Sequence, residues 1–179
     1  MRWMEFEKEQ PRLAGLTRAR LLTPGVVLVC TVRADGTPRL SPVEPYIMEG
    51  QFWLSMLWGS WKAKDLVRDP RILVHNIVTS RNGGGDGEVK VRGTAVPVED
   101  HAVQERYAAS VAETIGWQAI PGRFHLFAID LTEVAYLHYD DATGDQYTVL
   151  WPQGAEFVRR GTSATSVGDP EPLGDRLLV

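Results

Sequence analysis

The sequence predicts a mainly β protein of the α+β class, in which a few short helices flank an antiparallel sheet. Short segments rich in Val, Ile, Leu and aromatic residues recur along the chain, and turn-forming residues separate them. Only three segments combine helical spacing with a cap or a stop signal. With 179 residues, 44% of them hydrophobic, the chain is long enough for one sizeable core, so we expect one domain.

The first third of the chain predicts one helix followed by three strands. Pro11–Leu22 has apolar residues at helical spacing, and Thr23-Pro24-Gly25 ends it. Residues 26–32 and 38–46 flank the turn-forming Ala-Asp-Gly-Thr segment and therefore predict a β-hairpin. Residues 51–56 follow the Glu-Gly turn and predict a third strand, which leads directly into a helix.

The rest of the chain alternates strands with one more helix. Residues 71–79 and 88–98 predict strands on either side of the glycine-rich RNGGGDG. That run lacks the Gly-Lys-Ser/Thr ending of a phosphate loop and precedes a strand, so it indicates a hairpin loop. Asp100 predicts the cap of a helix that extends to Val111. Phe124–Tyr139 predicts a long strand bent near Asp130, and residues 147–151 predict a last one.

The domain boundary is expected near residue 150. We predict that residues 1–150 form a single, mainly β domain and that residues 151–179 are a C-terminal extension. The extension is rich in Gly, Pro, Ser and Thr and ends in Arg-Leu-Leu-Val. We therefore expect it to be loosely ordered, or packed on a partner subunit.

Composition excludes several classes of function. The net charge is −4 and no long basic block is present, which argues against nucleic-acid binding. No stretch approaches the ~20 apolar residues of a membrane span, and the start MRWMEFEKEQ lacks the apolar core of a signal peptide. We expect a cytoplasmic protein with no membrane partner. The single cysteine, Cys30, lies in an apolar run and is interpreted as an inert thiol.

The segment WGSWKAKDLVRDP carries most of the functional information. Ser60 is suited to cap a helix over Trp61–Arg68, which Asp69-Pro70 ends. Lys62 and Lys64 then fall in the first turn, where the helix dipole disfavours cations by roughly 0.3–1 kcal/mol. A phosphate bound by the free N–H groups, the Ser60 hydroxyl and Lys62 makes that placement favourable. The alternative is two solvated surface lysines.

The side-chain inventory indicates neither a metal nor a nucleophile. The four histidines, His75, His101, His125 and His138, show no spacing of a zinc or iron site. No G-x-S-x-G motif is present, and the paired acidic residues have the positions of turn and cap residues. Such an inventory is expected when a bound cofactor supplies the chemistry.

The order of elements and two motifs over roughly residues 10–150 resemble the pyridoxamine 5′-phosphate oxidase-like family of flavin and deazaflavin proteins. The first motif, DGTPRLSPV, resembles the family's turn and second strand. The second, Ser55 followed by GSWKAKDL, resembles its strand end and phosphate site. The resemblance implies a six- to seven-stranded antiparallel FMN-binding split β-barrel with short flanking helices. It also implies these cofactor-binding residues: Arg39, Leu40, Ser41, Pro42, Val43, Ser55, Ser60, Trp61, Lys62, Lys64 and, from the second subunit, Glu88.

Departures from the family narrow the implied function. Trp61 stands where oxidases acting on pyridoxamine phosphate carry an arginine, and Arg39 or Lys64 is the candidate to compensate. The C-terminal region also lacks the oxidase's substrate-binding pattern of Trp, Arg and His. We therefore expect an FMN-binding oxidoreductase that transfers hydride to or from a small organic substrate. The alternatives are a deazaflavin-dependent reductase in the same cleft and a non-catalytic flavin- or haem-binding stress protein.

The resemblance further implies a homodimer in which both chains contact each cofactor. Glu88 and the loop around Trp117 are candidates for the partner's contribution. Trp53, Trp58, Trp61 and Trp117 are open to two interpretations, since aromatic side chains either flank a planar ring or fill a core or dimer interface.

Overall fold

A computed structural model of the protein describes residues 1–79 and 87–173. Four helices occur in these ranges: α1 (Trp3–Glu9), α2 (Pro11–Leu22), α3 (Trp61–Arg68) and α4 (His101–Ile115). The same ranges contain ten strands: β1 (Val27–Val32), β2 (Pro38–Val43), β3 (Pro45–Met48), β4 (Gln51–Leu57), β5 (Arg71–Asn76), β6 (Glu88–Pro97), β7 (Phe124–Tyr139), β8 (Gln146–Trp151), β9 (Ala155–Ser163) and β10 (Ser166–Pro172).

The strands form one antiparallel sheet, which confirms the mainly β class of the α+β type. The order along the sheet is β10-β9-β8-β7-β6-β5-β1-β2, and β4 pairs with both β3 and β7. The 16-residue β7 connects the two parts, because Phe124 to Ile129 pair with β4 while Val134 to Tyr139 pair with β8. The predicted β1–β2 hairpin is confirmed by its antiparallel register.

The predicted bend in β7 lies beside Asp130. The β6–β7 register shifts between Arg92 and Gly93, whose partners are Glu133 and Leu131, so Thr132 is left over as a bulge. A Cβ on Gly93 would lie 2.4 Å from the Asp130 carbonyl oxygen, so the close approach of the two strands needs glycine there.

The sheet has more strands than the six to seven predicted. Residues 155–163 and 166–172 pair as the β9–β10 hairpin, and β9 continues the sheet beyond β8. These residues are a regular hairpin and not a loosely ordered extension. Backbone pairing forms the hairpin with little burial, since Val158 is the one residue of β9 that is fully buried. Packing of this region on a partner subunit stays a prediction.

The described residues also form four helices, one more than the three that the sequence predicts. α1 buries Trp3 and Phe6 completely, and the backbone N–H of Arg2 donates to Glu5 Oε2 at 2.8 Å at its start. Seven residues are too few for a clear periodic signal, which is why the sequence did not predict this helix. Such a short helix is marginal by itself, and burial of the two aromatic side chains stabilises it. α4 extends four residues past the predicted end and stops at Gly116 in the left-handed conformation.

Two buried clusters hold the elements together. The main core lies between the sheet and helices α1, α2 and α3, with Phe52, Leu66 and Ile129 among its members. A second cluster lies under α4, where Tyr107 and Val111 pack against Trp53, Phe124 and Leu126. Trp117 packs against this second cluster and also lines the candidate site.

Two sequence predictions concern residues outside the described ranges, and two others concern a metal site and a membrane span. Residues 80–86, which include most of the glycine-rich segment, and residues 174–179, which include the Arg-Leu-Leu-Val end, fall outside the described residues. Within residues 1–79 and 87–173, no three His, Cys, Asp or Glu side chains group as metal ligands do. No helix in those ranges has the length and apolar character needed to cross a membrane.

Candidate functional site

A cleft opens where β2 and β4 approach each other without pairing. We call it the β2–β4 cleft, and its volume is about 400 Å³, within the range of small-molecule sites. Its lining residues are Val26, Pro42, Val43, Glu44, Ser55, Met56, Leu57, Lys62 and Trp117. Four of these, Pro42, Val43, Ser55 and Lys62, are predicted cofactor-binding residues, and they come from three different elements.

The start of α3 forms the cationic end of the β2–β4 cleft. α3 begins at Trp61, as the sequence predicts, and Lys62 Nζ donates to the Pro42 carbonyl oxygen at 3.3 Å. An ammonium group has three donors, so this contact leaves two for a ligand. The free N–H groups of the first helical turn are directed to the same end of the helix.

Ser60 occupies the N-cap position with extended backbone angles, but its side chain makes no capping hydrogen bond. The predicted cap interaction is therefore wrong in its detail, although the position is correct. The Ser60 Oγ atom is buried and has no hydrogen-bond partner among the described residues. Burying a hydroxyl without a partner costs free energy, and a phosphate oxygen at the helix start would provide that partner. The donor set at this end thus fits a phosphate group.

Arg39 is held by α3 rather than left free for a ligand. Its Nε donates to Asp65 Oδ2 at 2.6 Å, and Thr31 Oγ1 donates to the same oxygen at 2.9 Å. Burial raises the pKa of the Asp65 carboxyl, but these two hydrogen bonds and the charges of Arg39 and Arg68 outweigh it and lower the pKa. The carboxylate therefore ties α3 to β1 and β2, and so positions Ser60 and Lys62.

The remaining predicted residues lie around the β2–β4 cleft or away from it. Ser41 is half-buried opposite Val29 of β1, while Leu40 is 59% exposed. Trp61 is exposed, and Lys64 Nζ lies 4.9 Å from the centre of its ring. Glu88 is not among the residues lining the cleft, and its carboxylate accepts from Lys90 at 2.7 Å.

Sequence reasoning did not find Glu44 and Tyr107. Glu44 lines the β2–β4 cleft at the junction of β2 and β3, and it makes no ion pair within the described ranges. Tyr107 is 2% exposed and donates to Ser55 Oγ at 3.0 Å, behind the cleft wall. Its helical spacing with Val103 and Val111 indicates core packing, and no local signal distinguishes a phenol that also reaches a cleft residue.

The loop that enters α3 rests on a histidine. The Gly59 N–H donates to His125 Nε2 at 3.2 Å, and the Trp58 ring stacks on the imidazole at a centroid distance of 4.7 Å. Burial lowers the pKa of His125, and the charge of Lys64 lowers it further. The ring is therefore neutral near pH 7 and can accept this hydrogen bond.

A second cavity of about 390 Å³ lies on the other side of β1, where Cys30, Arg71 and Arg92 line it. Both arginines already pair with acidic neighbours, Arg71 with Asp69 at 2.6 Å and Arg92 with Glu133 at 3.1 Å. Cys30 is half-buried and forms no disulfide. Lys62 lines the β2–β4 cleft, and the buried Ser60 hydroxyl without a partner among the described residues lies two positions before it, so this cleft is the candidate site.

Fold and cleft together define a class: mainly β proteins whose antiparallel sheet leaves an opening between two unpaired strands, with a short helix starting at its edge. The sequence profile of the pyridoxamine 5′-phosphate oxidase family matches residues 14–138, well over half of the chain. The chain therefore belongs to this family, and the sequence-based assignment is confirmed. No curated protein matches the sequence significantly.

Several solved structures share the fold. A protein of the pyridoxinephosphate oxidase family from Clostridium acetobutylicum, related to general stress protein 26, has 16% identity over 84% of this chain and 97% of its own, with a TM-score of 0.55. A NimC/NimA family protein from the same organism has 16% identity over 76% and 93%, with 0.54. HutZ, a haem storage protein from Vibrio cholerae, has 17% over 74% and 92%, with 0.53. At such identities the likeness establishes the fold alone.

Proposed function

We propose that the protein is an FMN-binding oxidoreductase that transfers hydride to or from a small organic substrate. The observation that carries the proposal is the start of α3, where the buried Ser60 hydroxyl has no partner within residues 1–79 and 87–173 and Lys62 lies in the first turn beside the β2–β4 cleft. A phosphate supplies the acceptor that Ser60 lacks and the negative charge that the helix start favours. Membership of the family supports the choice of a flavin.

The chain's own residues have limited tasks in this proposal. Lys62, Ser60 and the first-turn N–H groups of α3 anchor the phosphate. Ser55 and the walls formed by Val43, Met56 and Trp117 shape the rest of the β2–β4 cleft. When bound, the flavin ring supplies the hydride chemistry, which agrees with the absence of a predicted nucleophile in the sequence.

We also propose that the protein works as a homodimer with the cofactor at the subunit interface. Leu57 lines the cleft with an exposed apolar side chain, and three further large apolar side chains are exposed next to cleft-lining residues in the sequence or at the start of α3: Leu40, Trp58 and Trp61. Exposed apolar surface of this kind marks interaction sites. Glu88 is the candidate contribution from the second subunit. We expect gel filtration at micromolar concentration to give a dimer, and a purely monomeric chain would contradict the shared site.

The proposed function is tested by comparing FMN with riboflavin, which has the same ring and no phosphate. We expect FMN to bind at least roughly 10-fold more tightly, because charge-assisted contacts to the phosphate contribute about 1.5–3 kcal/mol. Quenching of flavin fluorescence on titration with the purified protein measures both affinities. Equal affinities would contradict a phosphate site at α3.

Parallel titrations separate the alternatives within the same cleft. Tight binding of the deazaflavin cofactor in place of FMN would indicate a deazaflavin-dependent reductase. A Soret band on addition of haem would indicate a haem-binding protein. FMN bound tightly, but without turnover when a reductant and a range of acceptors are supplied, would indicate a flavin-binding protein without catalysis.

A further inference from the structure

Ser55 contacts both the β2–β4 cleft and the buried cluster behind it. It lies near the end of β4 and lines the cleft, and its Oγ accepts a hydrogen bond from the Tyr107 hydroxyl at 3.0 Å. Tyr107 belongs to α4, where its ring packs against Trp53 and Phe124. A buried aromatic residue thus reaches a cleft-lining hydroxyl across the wall of the site.

The Tyr107 hydroxyl is the donor in this hydrogen bond, and burial keeps it protonated. Burial raises the pKa of the phenol to about 12, and the charges of Tyr46 and Glu44 act in the same direction, although the bond to Ser55 lowers it. The phenol therefore keeps its proton at neutral pH. The neighbouring Tyr46 hydroxyl contacts Ser110 at 2.8 Å and Thr114 at 2.9 Å, so it serves a different pair of partners.

The Ser55 hydroxyl can donate a hydrogen bond into the β2–β4 cleft. A serine hydroxyl has one donor and two acceptor positions, and the Tyr107 phenol occupies one acceptor position. Within residues 1–79 and 87–173, no group accepts a hydrogen bond from Ser55 Oγ. A donor that lines a cleft and has no acceptor in the protein is available to a ligand.

We propose that Tyr107 is a positioning residue that holds Ser55 as a hydrogen-bond donor towards the β2–β4 cleft. The ligand then presents an acceptor, such as a carbonyl oxygen or an unprotonated ring nitrogen of the flavin, at the Ser55 end while its phosphate lies at the α3 end. This inference rests on the proposed function and adds a second recognition point to it. Because α4 and β4 hold both residues in a packed cluster, the donor is fixed before the ligand arrives.

The test uses four variants of the full chain: Tyr107→Phe, Ser55→Ala, the double variant, and Tyr46→Phe as the matched control. Tyr107→Phe keeps the ring in the cluster and removes only the hydroxyl. Tyr46→Phe makes the same change in the adjacent ring, whose centroid is 5.8 Å away and whose hydroxyl does not contact Ser55. FMN affinity, the visible absorption spectrum of bound FMN, and the urea midpoint without cofactor are measured for each.

We expect Tyr107→Phe and Ser55→Ala each to weaken FMN binding by roughly 2- to 12-fold, the range for one hydrogen bond. The double variant should be no weaker than Ser55→Ala, and both single variants should shift the flavin absorption bands in the same direction. Tyr46→Phe should leave affinity and spectrum as in the wild type. A merely structural role of Tyr107 would lower the urea midpoint and leave the spectrum of bound FMN unchanged.

The outcomes separate this inference from the proposed function. Wild-type protein that binds no FMN would overturn both the proposed function and the assignment of a flavin as the acceptor. Wild-type protein that binds FMN, together with a Tyr107→Phe variant of equal affinity and spectrum, would overturn the role of Tyr107 alone. Additive losses in the double variant would also overturn it, because residues acting through one another are not additive.

Discussion

Replacing Lys62 by alanine is expected to weaken FMN binding by roughly 10- to 100-fold, which corresponds to the loss of one charge-assisted contact. Lys62 Nζ donates to the Pro42 carbonyl oxygen at the edge of the β2–β4 cleft, and its other donors are available to a phosphate. Riboflavin affinity should stay as in the wild type, because riboflavin has no phosphate. Fluorescence titration of both ligands provides the measurement.

Lys8→Ala is the matched control for this experiment. Lys8 is an exposed lysine in the last turn of α1, and it is not among the cleft-lining residues. The Lys8→Ala substitution removes the same charge from the protein as Lys62→Ala and should leave FMN affinity unchanged. If Lys8→Ala and Lys62→Ala weaken FMN binding equally, the effect comes from net charge, and the phosphate site at α3 is wrong.

Replacing Asp65 by alanine is expected to lower the free energy of unfolding by roughly 2–3 kcal/mol. The carboxyl is 3% exposed and accepts from Arg39 and Thr31, and Arg68 lies 3.5 Å away. The substitution leaves the Arg39 guanidinium, 22% exposed, without its carboxylate. Urea denaturation gives the measurement, and FMN affinity should also fall because α3 loses its attachment to β1 and β2.

Glu7→Ala is the control for the Asp65 variant. Glu7 pairs with Arg18 at 2.9 Å, but both side chains are about 40% exposed, so its removal should cost at most about 1 kcal/mol.

The pH dependence of the free energy of unfolding provides a second check on the role of Asp65. Because the folded-state pKa of Asp65 is below the ordinary 3.8, its contribution is present above that pH and is lost as the pH falls through the lowered value. The difference between wild type and Asp65→Ala should therefore narrow below pH 3.8, and a constant difference would contradict this account.

The candidate site could be predicted from the sequence where its signal is local. Ser60, the first-turn lysines and Asp69-Pro70 identify the bounds of α3, because caps and stop residues act within one helical turn. The strand bounds of β7 follow from its apolar composition over 16 residues. The side-chain conformation of Ser60 does not follow in this way, since it depends on whether the helix start binds water, backbone or a ligand.

Contacts between distant elements could not be predicted in the same way. Arg39 and Asp65 are 26 positions apart, and Tyr107 and Ser55 are 52 apart. Neither pair has a sequence signal, because strand order and helix docking bring them together. The β9–β10 hairpin was missed for another reason. β9 buries little and β10 contains Pro170 and Pro172, so hydrophobic alternation does not mark this edge of the sheet.

By itself the sequence determined the fold class, the family and the position of the lysine-bearing helix start, because turn residues, caps and hydrophobic periodicity are properties of neighbouring residues. Only the tertiary structure decided that Arg39 is bound to Asp65, that Pro42, Ser55 and Lys62 line one cleft, and that Tyr107 reaches Ser55. These facts depend on which strands pair and in what register. A one-residue change of register moves every side chain of a strand to the opposite face, so the composition of a cleft follows only when the sheet is assembled.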